Sequence, residues 1–332
     1  MHYASHQGEN MIVTASSLNT YTTCPRKYQH SYIDERVPAT TQVPLLTGTA
    51  VHLGAEAFWN NKPLPKAIED VRSFQREDDW WQTEAGRLEG MRVDAYVIGY
   101  YQHRTHIRDH YSVVAVEHEW EKVIDGIQFA GKIDLILRDK NGRLILVDHK
   151  TSGSTDVEKP GSSFWAGLCF DTQMILYREA LSEVAESKGA PLLVYDVIRK
   201  TKSKPAQKKK IAKRKSETAL EYGVRKEQNQ ETAREYGHRI HQEYVTNADR
   251  FIWREIPLTQ DEAASKTTEI VQIARSMTAE HTVYPRFQNS CVARYGPCPY
   301  FSVCCGTESI NGMSFKSKPA HSELPNQGEK NG

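Results

Sequence analysis

The sequence predicts an α/β fold in which a sheet is flanked by helices. Three observations carry that class. Apolar residues repeat with helical spacing up to about residue 110, alternate with period two over 112–150, and then return to helical spacing. Two-residue turn signals at Asp125-Gly126 and Asn141-Gly142 link the alternating runs into hairpins. A further Leu/Val/Ile-rich run at 192–199 follows a helical stretch, so strands and helices interleave along the chain.

In chain order, residues 1–15 form a polar leader expected to be flexible. Ser16 or Ser17 is a candidate cap for a helix through Leu18, Tyr21 and Tyr28, with a kink at Pro25 beside Cys24. A helix over 49–60 gathers Val51, Ala55, Phe58 and Trp59 on one side and puts His52 and Glu56 on another face at i,i+4 spacing. A longer helix covers 84–110. Strands follow at 112–121, 127–138 and 143–150, then a loop over 151–161. Residues 164–186 read as one helix, 192–199 as a strand, 199–215 as a basic loop, 217–245 as one long helix and 261–280 as another. The unit of 16–306 is one domain, and 307–332, polar and containing Pro and Gly, is expected to be disordered.

At 332 residues, 39% hydrophobic, 26% charged and a net charge of +1, the chain is long enough to bury a substantial core. This composition excludes collagen-like and wholly disordered classes. No run approaches the roughly 18 apolar residues of a membrane span, and the N-terminus lacks the layout of a signal peptide, so a cytoplasmic protein is expected. The near-zero charge hides a local asymmetry: residues 199–215 hold ten Lys or Arg and no Asp or Glu.

Asp148-His149-Lys150 ends a strand, and period-two alternation sends Asp148 and Lys150 to the same face. Asp134, in Gly131-Lys132-Ile133-Asp134 on the preceding strand, lies in an otherwise apolar run, where a charge is costly unless something binds it. Two carboxylates at one sheet edge suit Mg²⁺ or Mn²⁺, and a neighbouring lysine can act on the attacking water, a set of parts that hydrolyses phosphodiesters. Taken alone, the same residues also read as a surface ion pair, and His52 as an ordinary histidine.

The ordered combination around them resembles the RecB-like branch of the PD-(D/E)XK nucleases. Leu46-Thr47-Gly48-Thr49-Ala50-Val51-His52, Gly131-Lys132-Ile133-Asp134, Asp148-His149-Lys150-Thr151, and Gln173 with Tyr177 occur in that branch's order, and the resemblance spans about residues 16–304. It implies a restriction-endonuclease-like core with a central mixed sheet flanked by helices. It implies a metal held by His52, Asp134, Asp148 and the backbone carbonyl of His149, with Asp134, Asp148 and Lys150 catalytic. Gln173 and Tyr177, on one face of a helix, are implied to lie near the active site and DNA. Glu56 and Glu117 are lesser candidates for the metal.

Six cysteines in a reducing compartment read as metal ligands or free thiols rather than disulfides. Iron–sulfur, zinc and unliganded thiols are all open from spacing alone. The resemblance to the cluster-bearing AddB-like and CRISPR-associated branches implies a 4Fe-4S cluster on Cys24, Cys291, Cys298 and Cys304 that staples the helical N-terminal and Cys-rich C-terminal segments. Cys291 and Cys298 stand farther apart than is commonest there. Cys305 is an alternative to Cys304, and Cys169 reads as a small core residue.

The basic stretch, Lys208, Lys209 and Lys210 above all, is dense enough to track a phosphate backbone, or it is a solvated linker. Together these readings predict a Mg²⁺- or Mn²⁺-dependent DNA exonuclease acting on ends or single strands in recombination, replication or repair. The alternatives are a non-catalytic DNA-binding module and the nuclease partner of a helicase, recombination or CRISPR adaptation complex. No phosphate-loop motor motif is present.

Overall fold

The computed structural model describes residues 11–40, 42–169, 171–184, 187–293, 296–322 and 324. Residues 1–10 of the expected leader and 325–332 of the expected tail lie outside them. The leader's last residues already belong to the fold. Val13 is fully buried and bridges Phe129, its N–H donating to the Gln128 carbonyl and its own carbonyl accepting from Ala130. Helix α1 (Ala15–Thr23) starts at a Thr14/Ser17 capping box. Pro25 opens α2 (Pro25–Tyr28), which continues as a π-helical turn, and β1 (Arg36–Pro38) follows. Helix α3 (Val43–Trp59) begins earlier than expected because Pro44 sits in its first turn, where a missing N–H costs nothing. Then come α4 (Leu64–Arg76) and the long α5 (Glu84–Arg108), capped by Thr83.

Strands β2 (Ser112–Ile124), β3 (Ile127–Arg138) and β4 (Leu144–Ser152) form the expected antiparallel meander. The expected 164–186 helix is instead two, α6 (Ser163–Leu168) and α7 (Thr172–Val184), since Asp171 turns the chain and accepts the Gln173 N–H. This crossover lays β5 (Leu192–Arg199) parallel to β4. The expected long helix is also two, α8 (Ala219–Gln228) and α9 (Ala233–Thr246), each opened by its own Thr/Glu capping box. Strand β6 (Phe251–Ile256), not foreseen from the sequence, completes the sheet antiparallel to β5, giving the order β2-β3-β4-β5-β6. After α10 (Gln260–Thr278) come a hairpin of β7 (Val292–Ala293) and β8 (Gly296–Pro297), then α11 (Phe301–Cys304). The expected disordered tail is corrected in part: β9 (Phe315–Ser317) pairs with β1, and the Lys318 N–H donates to the Glu35 carbonyl. Phe315 is buried against Tyr300, and that apolar contact anchors an otherwise polar segment.

The mixed sheet is filled on both faces. On one side Leu18, Ile136, Leu144, Leu146, Tyr195 and Val197 pack with α7 and α10 through Leu176, Ile270 and Met277. On the other, Leu137, Ile145, Val147, Val194 and Ile198 pack with α3, α5 and α9 through Val51, Trp59, Tyr96, Tyr100 and Tyr244. Each large side chain fully buried this way contributes about 1.5–3 kcal/mol. No described helix is long and apolar enough to cross a membrane.

Candidate active site

The site forms where the sheet comes apart. Strands β3 and β4 pair from Arg138↔Leu144 to Leu135↔Val147, and the ladder ends there. At the next residue, the Asp134 carboxylate substitutes for a backbone acceptor: its Oδ2 receives the His149 N–H at 2.8 Å. Both β2 and β3 change face at this point with their register kept. Val116 and Leu135 pack on the α5 side, whereas Trp120 and Ile133 pack on the α7 side. Between them Glu117 takes φ of +51°, a conformation uncommon for a side-chain-bearing residue and concentrated at functional sites.

This roll brings Glu117 to Asp134 and to His52 of α3. One ligand atom from each of the three lies within 4.8 Å of the others, and His52 Nδ1 stands 3.6 Å from Asp134 Oδ2. Burial lowers the His52 pKa, with Asp134 opposing, so the imidazole favours its neutral, ligating form. Glu117 also holds Lys132 Nζ at 2.6 Å. Glu56 lies behind: partial burial, then Glu117, raise its carboxyl above the ordinary range.

Asp148 and Lys150 do share a face, the α7 side, at 2.9 Å between Oδ2 and Nζ. Burial first, and Asp134 after it, push the Asp148 carboxyl up to about 7 against the pull of Lys150. Burial works against the Lys150 charge, but Asp148 and Asp171 outweigh it and keep the ammonium above its ordinary pKa. Gln173 Oε1 accepts from Lys150 Nζ at 3.2 Å, and Gln173 Nε2 donates to Tyr177 Oη at 2.6 Å. The expected Gln173/Tyr177 pair thus bears on the lysine. Asp171, which sequence reasoning missed, is 4.0 Å from Lys150 and is fixed by the Tyr195 hydroxyl at 3.0 Å. Its signal was the Asp two residues before Gln173, a helix-capping position.

Asp148 stands outside the triad of atoms within 4.8 Å, which Glu117 completes. The His149 side chain turns to the opposite face, toward α3 and α5, with its ring 5.9 Å from that of His52. A cleft of about 180 Å³ opens at Asp134, walled by Trp120, Lys132, Gln173 and Tyr177 and closed on one side by Leu324.

The other predicted residues lie elsewhere. Lys208 is engaged by Glu235 at 2.8 Å, while Lys209 and Lys210 are exposed. At its start the basic stretch borders β4: Arg199 is the register partner of Ser152, the Lys200 N–H donates to the Ser152 carbonyl, and Lys202 lies against Gly153. The four cysteines come from segments that meet: Ser290 Oγ donates to the Thr23 carbonyl at 2.6 Å, and the Arg26 N–H to that of Pro285 at 3.0 Å. Cys24 is buried, and the Cys298 N–H donates to the Cys291 carbonyl. Cys169 ends α6, partly buried against the core.

No curated protein matches the sequence. Among solved structures, an inferred exonuclease from Eubacterium rectale aligns over 93% of each chain at 10% identity and a TM-score of 0.48. The protein SSO0001 aligns over 92% of this chain and 91% of its own at 13% identity and a TM-score of 0.34. Both fits are too loose to bear on function. The family model of the PD-(D/E)XK nuclease superfamily matches residues 12–305, nearly the whole described fold including every strand of the main sheet. The chain belongs to the PD-(D/E)XK nuclease superfamily.

Proposed function

We propose that the protein is a divalent-metal-dependent DNA exonuclease acting on ends or single strands. The observation that carries this is the convergence of His52, Glu117 and Asp134 with the Asp148–Lys150 pair at one splayed strand end. Two carboxylates and a neutral imidazole fit a small divalent cation, and the nitrogen donor makes Mn²⁺ a better fit than Mg²⁺. Asp148, a buried acid pushed up to about 7 beside the triad, and the His149 carbonyl would be its further donors. When bound, the ion supplies charge neutralisation at the phosphoryl group being hydrolysed. Lys150, kept cationic and aimed by Gln173, supplies the second positive group there, in the manner of an oxyanion clamp. The small cleft at Asp134 favours a single strand or frayed end over a duplex. The exposed Lys209 and Lys210, with Lys200 and Lys202 nearer the strand end, are proposed to follow the DNA backbone.

Digestion of 5′- and 3′-labelled linear DNA, single- and double-stranded, with Mn²⁺ or Mg²⁺, tests this. Stepwise shortening of linear strands with closed circles left intact is expected. No cutting with either ion, or equal cutting of closed circles, would overturn it.

We also propose that Cys24, Cys291, Cys298 and Cys304 hold a 4Fe-4S cluster with a structural role. The meeting of the two chain ends supports this. So does the Cys304 thiol, raised first by burial and, beyond the opposing pull of Arg286, by the nearby Cys298 and Cys24. Four thiolates suit iron–sulfur ligation. Anaerobically purified protein should be brown. Cys24→Ser should be colourless with a lower Tm, and Cys169→Ser unchanged in colour. Wild-type protein with zinc and no iron would refute the cluster and leave the nuclease reading standing.

A further inference from the structure

His149 is flanked by a buried polar chain to which the proposed reaction gives no part. Asp196 of β5 is its register partner across the parallel ladder, and both side chains face α5. Asp196 Oδ2 stands 3.4 Å from His149 Nδ1 and accepts the Tyr100 hydroxyl at 2.7 Å. Asp196 Oδ1 accepts both Nε and Nη2 of Arg104, at 2.9 and 2.5 Å. Trp59 Nε1 donates to Tyr100 Oη at 2.7 Å, so the chain runs Trp59, Tyr100, Asp196, Arg104. The Arg104 guanidinium lies over the rings of Tyr100, Phe251 and Trp253. Asp196 is 1% exposed and Arg104 2%, so both charges are removed from water.

A buried ion pair of this kind is weak support for stability, since apolar residues of similar volume often do as well or better. Its value must be sought in what it holds still. It holds one ring. The His149 imidazole is edge-on to Tyr100 on one side, at 6.0 Å and 86°, and to His52 on the other, at 5.9 Å and 89°. The same residue's N–H is the donor to Asp134 Oδ2. One residue therefore touches two members of the triad, His52 through its ring and Asp134 through its peptide.

We infer that Asp196, braced by Arg104 and Tyr100, is the positioning residue of the metal site, and that it acts through the His149 ring. This rests on the nuclease reading above. Partners that orient metal ligands from behind change metal affinity or activity about 10–100-fold when removed.

The test uses the full chain carrying Arg104→Met with Asp196→Leu, which removes both charges together, and measures Mn²⁺ affinity by calorimetry, kcat and KM on labelled single-stranded DNA, and Tm. A positioning role predicts a Tm near wild type, Mn²⁺ affinity weakened at least about tenfold, kcat lowered about as much and KM for DNA little changed. Retained Tm with unchanged Mn²⁺ affinity and kcat would overturn the inference. Should the double variant fail to fold, His149→Ala decides: weakened Mn²⁺ binding supports the role, and wild-type binding ends it. Wild-type protein that binds Mn²⁺ but cuts no DNA would fail the nuclease reading alone, because the calorimetric comparison would still stand.

Discussion

The catalytic strand end and the basic arm between Lys200 and Glu231 carry the two halves of the proposed activity and are built in opposite ways. At the strand end the contacts lie inside the fold: the Asp134 carboxylate takes the buried His149 N–H, Lys150 donates to Gln173, and His149 faces Asp196. The arm is knitted mostly by contacts at its surface. Arg225 pairs with Glu217, Asn229 donates to the Lys209 carbonyl, Gln207 bridges Gln230, and no residue of α8 is buried. Chemistry needs atoms fixed to fractions of an ångström, whereas following a phosphate backbone needs charge with freedom to adjust.

The sharpest way to break this contrast is to alter each region alone. Asp148→Ala, and separately Lys150→Ala, should lower cleavage at least about a hundredfold, as when one charge-stabilising donor is removed, while DNA binding measured by anisotropy stays near wild type. Cleavage at wild-type rate in either variant would sink the site. Glu117→Gln comes next. It should weaken Mn²⁺ binding and raise the Mn²⁺ concentration for half-maximal activity at least about tenfold, since a direct ligand should count for no less than an outer one. Titration of activity against Mn²⁺ reads this. If Glu117 only pairs with Lys132, the curve will not move.

On the arm, Lys209→Ala with Lys210→Ala should flatten the plot of log affinity against log salt by about 0.7–0.9 for each phosphate no longer neutralised, equally for all sequences. Adding Lys208→Ala should contribute less, because Glu235 already neutralises it. An unchanged slope would make the arm a passive linker.

The smallest effect is one of pH. The Asp148 carboxyl, near 7 in the folded metal-free chain against about 3.9 when unfolded, keeps a proton that the unfolded chain gives up. Between those values the folded state binds more protons, so the stability of metal-free protein should fall as pH rises from about 4 through 7. Tm measured in chelator should follow that trend, and Asp148→Asn should flatten it. A Tm of wild type and variant that changes in parallel would remove Asp148 as the source.

The same contrast explains what the sequence made legible. Alternation and two Gly turns were enough for the β2-β3-β4 meander and for the shared face of Asp148 and Lys150, because local periodicity decides both. Asp134 stood out as a charge in an apolar run. Asp196 carried the same signal in Leu-Leu-Val-Tyr-Asp-Val-Ile-Arg, yet its partner Arg104 is 92 residues away and nothing local names it. Glu117 carries little signal of its own, because its arrival at the triad depends on a positive φ and a roll of two strands, which alternation cannot express. The breaks at Asp171 and before Thr232 have local signals, an Asp cap and a Thr/Glu capping box, which the continuous helical spacing on either side masks.

The short ribbon of β1 and β9 joins residues about 280 positions apart and so closes nearly the entire domain into one loop. In equilibrium terms this is inexpensive, since each doubling of a loop's length adds only about 0.6 kcal/mol. In time it is not. Such a pairing can form only once residues 315–317 have been synthesised, and the meander, made of adjacent segments, has no such wait. The meander is thus free to assemble before the two ends of the domain can be fastened to each other.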